Sequence, residues 1–576
     1  MSVERAVTTD VAAAKALRRM AAVAGTGALL VVLTAPAWAE ATSCSTEALA
    51  ALAVPGMSIT SATPVAATST TPAYCDVLGS VATDGEGAGP NVADFDVKLP
   101  DAWNHKFMFM GVGGLAGSLN PSINAVDRSL SLVKGYATAV TTTGHVTATD
   151  PLWMLGSPGV KTNKVIDYYY RAAHQVGIAA KLLVKAYYGT SRIARSYFDG
   201  CSNGGKMGLL EAMRYPEDYD GIVAGAPWLD PLGTSLWGLK NVKALLAAYV
   251  PPSLFPAIEA AVNASCDAVD GVADGLIQDP ARCFFDPQSL VPATLSQAQA
   301  DALKLILQPV RDDGGRLVYP GSSVSNLGQT GSTGWGLAAS ELLTTPPLDP
   351  TAALPWGPGV NGPSNWSLAT GIIRNLGYYD TGFDLNNGVE HAGVMSSDAR
   401  DLLYGRLAQD IPSNPARLAA FFKRGGKLLI YHGYSDPIIS PYRTTWFYDE
   451  LAERRGGYGN LQDDARLFMV PGMQHCSGGS FPNAFDTLSA IEQWVENGVA
   501  PEAIVAWHTT GTAVDRTMPL CKYPEQARWN GHGSVLDASS WSCPAHDATL
   551  LKMGRNGIQA AARGRGDDDR DEARRR

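Results

Sequence analysis

The sequence predicts an α/β protein, a largely parallel sheet covered by helices on both faces and interrupted by one large insertion. Three observations predict it. Apolar strand-like runs alternate with helical stretches in both halves of the chain, the pattern of strands joined by crossover helices. The run Gly200-Cys201-Ser202-Asn203-Gly204-Gly205 stands where a strand gives way to a helix. From about 237 to 407 strand alternation disappears and glycine, proline, asparagine and tryptophan become frequent, after which sheet pattern returns. That is how a lid domain inserted between two halves of a core reads.

The elements follow in order. Lys15, Arg18 and Arg19 precede an apolar stretch from Met20 to Leu33 and then Ala37-Trp38-Ala39. This is the layout of a secretory signal, residues 1–39, cleaved after Ala39. The apolar stretch is shorter than the roughly 20 residues a membrane span needs. Residues 40–236 form the first part of the core. Within it, 41–100 are rich in Ala, Thr, Ser and Pro and read as an extended cap segment held by a disulfide. Strands are expected at 106–110 and 136–141, a long helix at about 166–188, and a buried strand at 221–227. The lid occupies 237–407. Residues 408–561 complete the core, with strands at 427–433 and 466–470 and a helix near 484–496. The tail 562–576 mixes Asp and Arg and reads as disordered.

The chemistry is expected at the serine turn. Glycines on both sides of Ser202 let the backbone turn sharply without a Cβ clash, exposing the hydroxyl at a helix N-terminus. A serine nucleophile needs a base, an orienting acid and an oxyanion hole. Two resumed strands end in Gly433-Tyr434-Ser435-Asp436-Pro437 and Pro471-Gly472-Met473-Gln474-His475-Cys476. Asp436 and His475 therefore fall at the carboxyl edge, where active-site groups of open α/β sheets collect. Of nine histidines, His475 has this context, whereas His432 lies within a strand as a packed or supporting residue. The order Ser202, Asp436, His475 is that of the α/β-hydrolase fold. Oxyanion donors are expected from the amide of Asn203 and from Gly113 or Gly114, in the glycine-rich run 111–117. That run lacks the spacing of a nucleotide-binding loop.

Composition narrows the field further. A net charge of −10 supplies no basic field for nucleic acid or an anionic membrane. Eight cysteines in an exported chain point to disulfides, with 105 pairings open. Local spacing favours Cys44 with Cys75, Cys266 with Cys283, and Cys521 with Cys543, leaving Cys201 and Cys476. If His475 reaches Ser202, those two neighbours come within disulfide span.

Together, Cys201-Ser202, Asp436 and His475-Cys476 resemble the tannase and feruloyl esterase family of α/β-hydrolases, which includes mono(2-hydroxyethyl) terephthalate hydrolases. The resemblance covers nearly all of the mature chain. It implies a serine esterase acting on esters of aromatic acids, with the paired cysteines bonded beside the site. In the lid, 266–276 carries three carboxylates within eight residues, a composition suited to a hard cation. The resemblance implies a structural Ca2+ held by side chains of Asp267, Asp270 and Asp274 and backbone carbonyls of Val272 and Leu276. Lid aromatics Trp335, Trp356, Trp366, Tyr378 and Tyr379 offer flat faces to a substrate ring, and Arg374 offers a partner for a substrate carboxylate. The expected substrates are small aromatic esters, including those attached to plant cell-wall polysaccharide. Feruloyl and other hydroxycinnamoyl esters rank first, galloyl esters second and terephthalate monoesters third. The competing non-enzymatic reading is a calcium-stabilised binding protein for phenolic wall material.

Overall fold

A computed structural model describes residues 42–544, apart from 147–150, 158–159, 161, 329–336, 353–354, 358–361, 386–388, 391–393 and 408–410. The signal, the cleavage position, the charged tail and Trp335 lie outside the described residues. Nine strands form one sheet in the order β1-β2-β3-β5-β4-β6-β7-β8-β9. They are β1 (Met57–Val65), β2 (Tyr74–Gly85), β3 (Ala88–Pro100), β4 (Lys106–Met110), β5 (Ala137–Thr141), β6 (Arg195–Cys201), β7 (Gly221–Gly225), β8 (Lys427–Gly433) and β9 (Ala465–Val470). From β5 through β9 every pairing is parallel, and β1, β2, β3 and β5 pair antiparallel.

Burial explains which strands sit where. In β4, β7, β8 and β9 nearly every side chain is buried, as covered faces on both sides require. In β3, Phe95, Val97 and Leu99 are fully buried while Asp94, Asp96 and Lys98 alternate with them. One face of this strand is solvated, and Lys98 there bridges Asp76 and Asp96 at 2.6 and 2.8 Å. The extended cap expected over 41–100 is thus corrected. The segment supplies a short helix and three antiparallel strands of the main sheet, and Cys44–Cys75 ties that helix to β2. Its small polar residues mask a period-two alternation that is plain at Phe95-Asp96-Val97-Lys98-Leu99.

Helices α1 (Ala125–Val133), α2 (Ala172–Tyr187), α3 (Asn203–Arg214) and α5 (Thr487–Asn497) accompany the sheet, whereas α4 (Pro231–Ala247) packs among the helices between β7 and β8. The long helix expected at 166–188 is resolved into an α-helical start, a π-helical turn at Asp167–Arg171, and α2. Inside that turn the Asp167–Arg171 ion pair, 2.6 Å, is wholly buried. β7 and β8 are neighbours in the sheet, so everything between them is one insertion. The boundary read at 237 falls within α4, and by topology the insertion starts where β7 ends. It is mostly helical with a small four-stranded sheet, and its buried residues are continuous with the main core. Among the described residues, no single helix is long and apolar enough to cross a membrane.

Candidate active site

β6 ends in Cys201 and α3 begins at Asn203, leaving Ser202 alone at the turn with φ 64° and ψ −123°. A serine side chain rarely adopts this backbone, and such strain is held only where surrounding structure over-determines it. Here the Ser202 amide donates to the Gly225 carbonyl at 2.9 Å, and its carbonyl accepts from the amides of Lys206 and Trp228 at 3.0 Å each. The flanking glycines act differently from expectation. The left-handed φ falls on Ser202 itself, whereas Gly200 and Gly204 permit close approach. A Cβ on Gly200 would lie 2.4 Å from the Gly204 carbonyl carbon, and one on Gly111 would lie 2.5 Å from the Gly204 Cα. Backbone contact between Gly111 and Gly204 sets the glycine-rich loop beside the serine. Gly113 and Gly114 line the same cleft as Ser202, and the Asn203 amide opens α3, where no carbonyl precedes it in the helix.

Asp436 follows β8 and is buried. Its Oδ1 accepts from the amides of Ile438 and Ile439 at 2.8 and 2.9 Å. Its Oδ2 accepts from His475 Nδ1 at 2.6 Å and His432 Nε2 at 3.0 Å. Burial pushes this carboxyl up, but the charge of His475 and hydrogen bonds from both histidines outweigh it and hold the group well below the usual carboxylate range. His432 is anchored in turn by Thr444 Oγ1 at 2.8 Å. Its partnership with Asp436 went unread in the sequence. The signal was a His and an Asp four residues apart across a strand end.

His475 follows β9, is half-buried, and lines the cleft with Ser202. Cys201 and Cys476, their immediate neighbours, are bonded with Cα atoms 5.9 Å apart across 275 residues of sequence. The other three disulfides are Cys44–Cys75, Cys266–Cys283 and Cys521–Cys543, as spacing suggested.

The cleft measures about 700 Å3. Trp228, Pro151 and Ile438 give it apolar walls, and the insertion contributes Glu341 to Thr345 and Gly362 to Leu368 in part. The expected lid contacts are corrected here. Trp366 is buried against Trp356, ring centroids 5.1 Å apart, and Tyr378 stacks on Phe383 at 3.7 Å. Arg374 is buried, donates from Nε to the Phe383 carbonyl at 2.6 Å, and lies over Trp366. None of these lines the cleft among the described residues; they hold the insertion's helices together.

In the acidic loop, Asp267 accepts from the amides of Asp274 and Gly275, Asp270 from those of Val272 and Gln278, and Asp274 from that of Leu276. Asp274 also pairs with Arg516. Burial first, with the charges of Asp274 and Asp267 adding to it, pushes Asp270 up to about 6 against opposing amide hydrogen bonds. Three carboxylates closed into one loop by Cys266–Cys283 fit a hard cation with oxygen ligands.

A mixed sheet with an elbow serine after one strand and an acid–histidine pair after two neighbouring strands defines an α/β-hydrolase. The chain belongs to the tannase and feruloyl esterase family, whose model, described as "Tannase and feruloyl esterase", matches residues 75–544. It is 32% identical to the "Probable feruloyl esterase" of Arthroderma benhamiae over 77% of this chain and 81% of the relative. It is 31% identical to the mono(2-hydroxyethyl) terephthalate hydrolase of Piscinibacter sakaiensis, over 82% of this chain and 85% of that one. The crystal structure of feruloyl esterase B from Aspergillus oryzae shares the fold with a TM-score of 0.70 and 24% identity, over 85% of this chain and 97% of that chain. The protein is therefore an esterase, and the non-enzymatic reading gives way.

Proposed function

We propose that this esterase is secreted and hydrolyses feruloyl and related hydroxycinnamoyl esters through Ser202, His475 and Asp436. The observation that carries the reading is the His475–Asp436 hydrogen bond beside an elbow serine in a common cleft. Because Nδ1 is committed to Asp436, Nε2 is the nitrogen that takes the Ser202 proton as Oγ attacks the ester carbonyl. The histidine then returns the proton to the leaving alcohol, and water repeats the sequence on the acyl-enzyme. Amides of Asn203 and of Gly113 or Gly114 receive the developing oxyanion.

The cleft's charge supports the substrate order. Among the described lining residues, Glu341 and His475 are the ionisable side chains. A carboxylate-bearing terephthalate monoester meets no Lys or Arg among the described lining residues and faces Glu341, whereas a neutral phenolic acyl group meets apolar walls and hydroxyls. Galloyl esters keep second place.

The acidic loop is read as a Ca2+ site formed by Asp267, Asp270, Asp274 and the carbonyls of Val272 and Leu276. The ion would be structural, offsetting repulsion among the carboxylates, with no part in the reaction. Four disulfides suit an oxidising compartment, which supports secretion.

Relative kcat/KM for methyl ferulate, methyl gallate and mono(2-hydroxyethyl) terephthalate tests the substrate order. Ferulate is expected to lead, and a leading terephthalate monoester would reverse it. A serine-directed phosphonate is expected to label Ser202, and labelling elsewhere would refute the site.

A further inference from the structure

Away from the cleft, His174 on α2, Glu211 on α3 and Asp218 in the loop entering β7 converge. One imidazole nitrogen and two carboxylate oxygens lie within 4.8 Å of one another. Glu211 is fully buried, and neither of its oxygens receives a hydrogen bond among the described residues. The group it faces is the Asp218 carboxylate, which is itself an acceptor. Asp218 Oδ2 lies 2.7 Å from His174 Nδ1, and the His174 ring is held by stacking on Tyr215, centroids 3.5 Å apart and planes 7° from parallel. The neighbouring ammonium of Lys181 is engaged elsewhere, donating to the Asp218 backbone carbonyl and lying 4.2 Å over the Tyr219 ring. A buried carboxylate with no donor, set against a second carboxylate, requires a positive charge between them.

We propose that His174, Glu211 and Asp218 bind a divalent transition-metal ion of the Zn2+ class. One imidazole and two carboxylates, with a fourth position open to water, are a donor set that such ions accept. Ca2+, which takes six to eight oxygens, is poorly matched to it, so this site is distinct from the acidic loop. Its bonds would tie α2, the helix that starts at the nucleophile, and the entry to β7 into one unit, fixing α3 behind Ser202 while taking no part in ester cleavage.

The test uses untagged full-length protein kept in excess calcium, stripped of transition metal and titrated with Zn2+ by calorimetry, with bound metal counted by elemental analysis. One Zn2+ per chain is expected, with a higher melting temperature. Affinity should fall by about a hundredfold or more in both Glu211→Gln and His174→Ala, since loss even of an outer partner costs a metal site about 10–100-fold. Should Glu211→Gln fold poorly, His174→Ala decides, because His174 sits at the protein surface with its side chain 21% exposed. No stoichiometric binding, or affinity unchanged in the variants that fold, would overturn the proposal. So would a Glu211→Gln variant that melts higher than a wild type indifferent to zinc, because a proton would then be the charge between the carboxylates.

Discussion

Ser202 carries backbone strain and is the proposed nucleophile. Replacing it with Ala removes the hydroxyl and leaves its three backbone hydrogen bonds. Hydrolysis should fall by roughly a millionfold, as for other triad serines, with thermal unfolding unchanged; turnover within tenfold of wild type would exclude this nucleophile. Asp436 depends on two histidines rather than one. Its folded-state pKa is depressed, so its contribution to stability is present above the unfolded value near 3.9 and is lost as pH falls below that. His432→Ala deletes one of four hydrogen bonds to this carboxylate and lets its pKa rise. The expected outcome is a drop in kcat of about tenfold or more, an acidic limb displaced to higher pH, and KM little altered. A pH–rate profile superimposable on wild type would show His432 to be packing alone.

At the scale of elements, the Cys201–Cys476 bond joins the last residue of β6 to the loop after β9. Chain-entropy models give about 4.7 kcal/mol for closing a 100-residue loop and slightly more for longer ones, so Cys476→Ser should lower both melting temperature and activity. An unchanged unfolding curve would contradict the staple. A second link joins β6 to α1, where Asp199 is buried beside Asp127, whose carboxylate accepts from the amides of Thr487 and Leu488. Burial first, then the charge of Asp127, raises Asp199 well above the usual carboxylate range. Burial also raises Asp127, to about 6, against hydrogen bonds from Thr487 and Leu488. Both folded pKa values lie above the unfolded one. Their contribution to stability is therefore full below pH of about 4 and is lost as pH rises through 6 and beyond. Asp199→Asn keeps a donor for Asp127 at every pH, so its melting temperature should change less between pH 5 and pH 8 than that of wild type. Equal changes would show that this pair does not titrate.

For the whole molecule, calcium is the predicted stabiliser. Chelation should lower the melting temperature, by the equivalent of about 2.7 kcal/mol where the ion stood a hundredfold above its Kd, with kcat at moderate temperature preserved; a melting curve indifferent to chelator would remove the ion. Legibility followed burial. Leu428 to Tyr431 and Phe107 to Met110 are covered on both faces, so their apolar runs were readable, and the placement of Asp436 and His475 was readable because each lies in the loop that follows such a strand. The insertion was not readable in detail. Trp356, Trp366 and Arg374 have the chemistry of a binding wall, yet helix packing absorbs them, and small residues such as Thr344 and Ser367 line the cleft instead. Nothing in residue type alone separates those two uses of an aromatic. The 275-residue span closed by Cys201 and Cys476 also governs what a protease can achieve. A cut anywhere between those cysteines leaves two fragments that travel as one molecule until a reductant arrives, with the residues flanking Ser202 and His475 still fastened to each other.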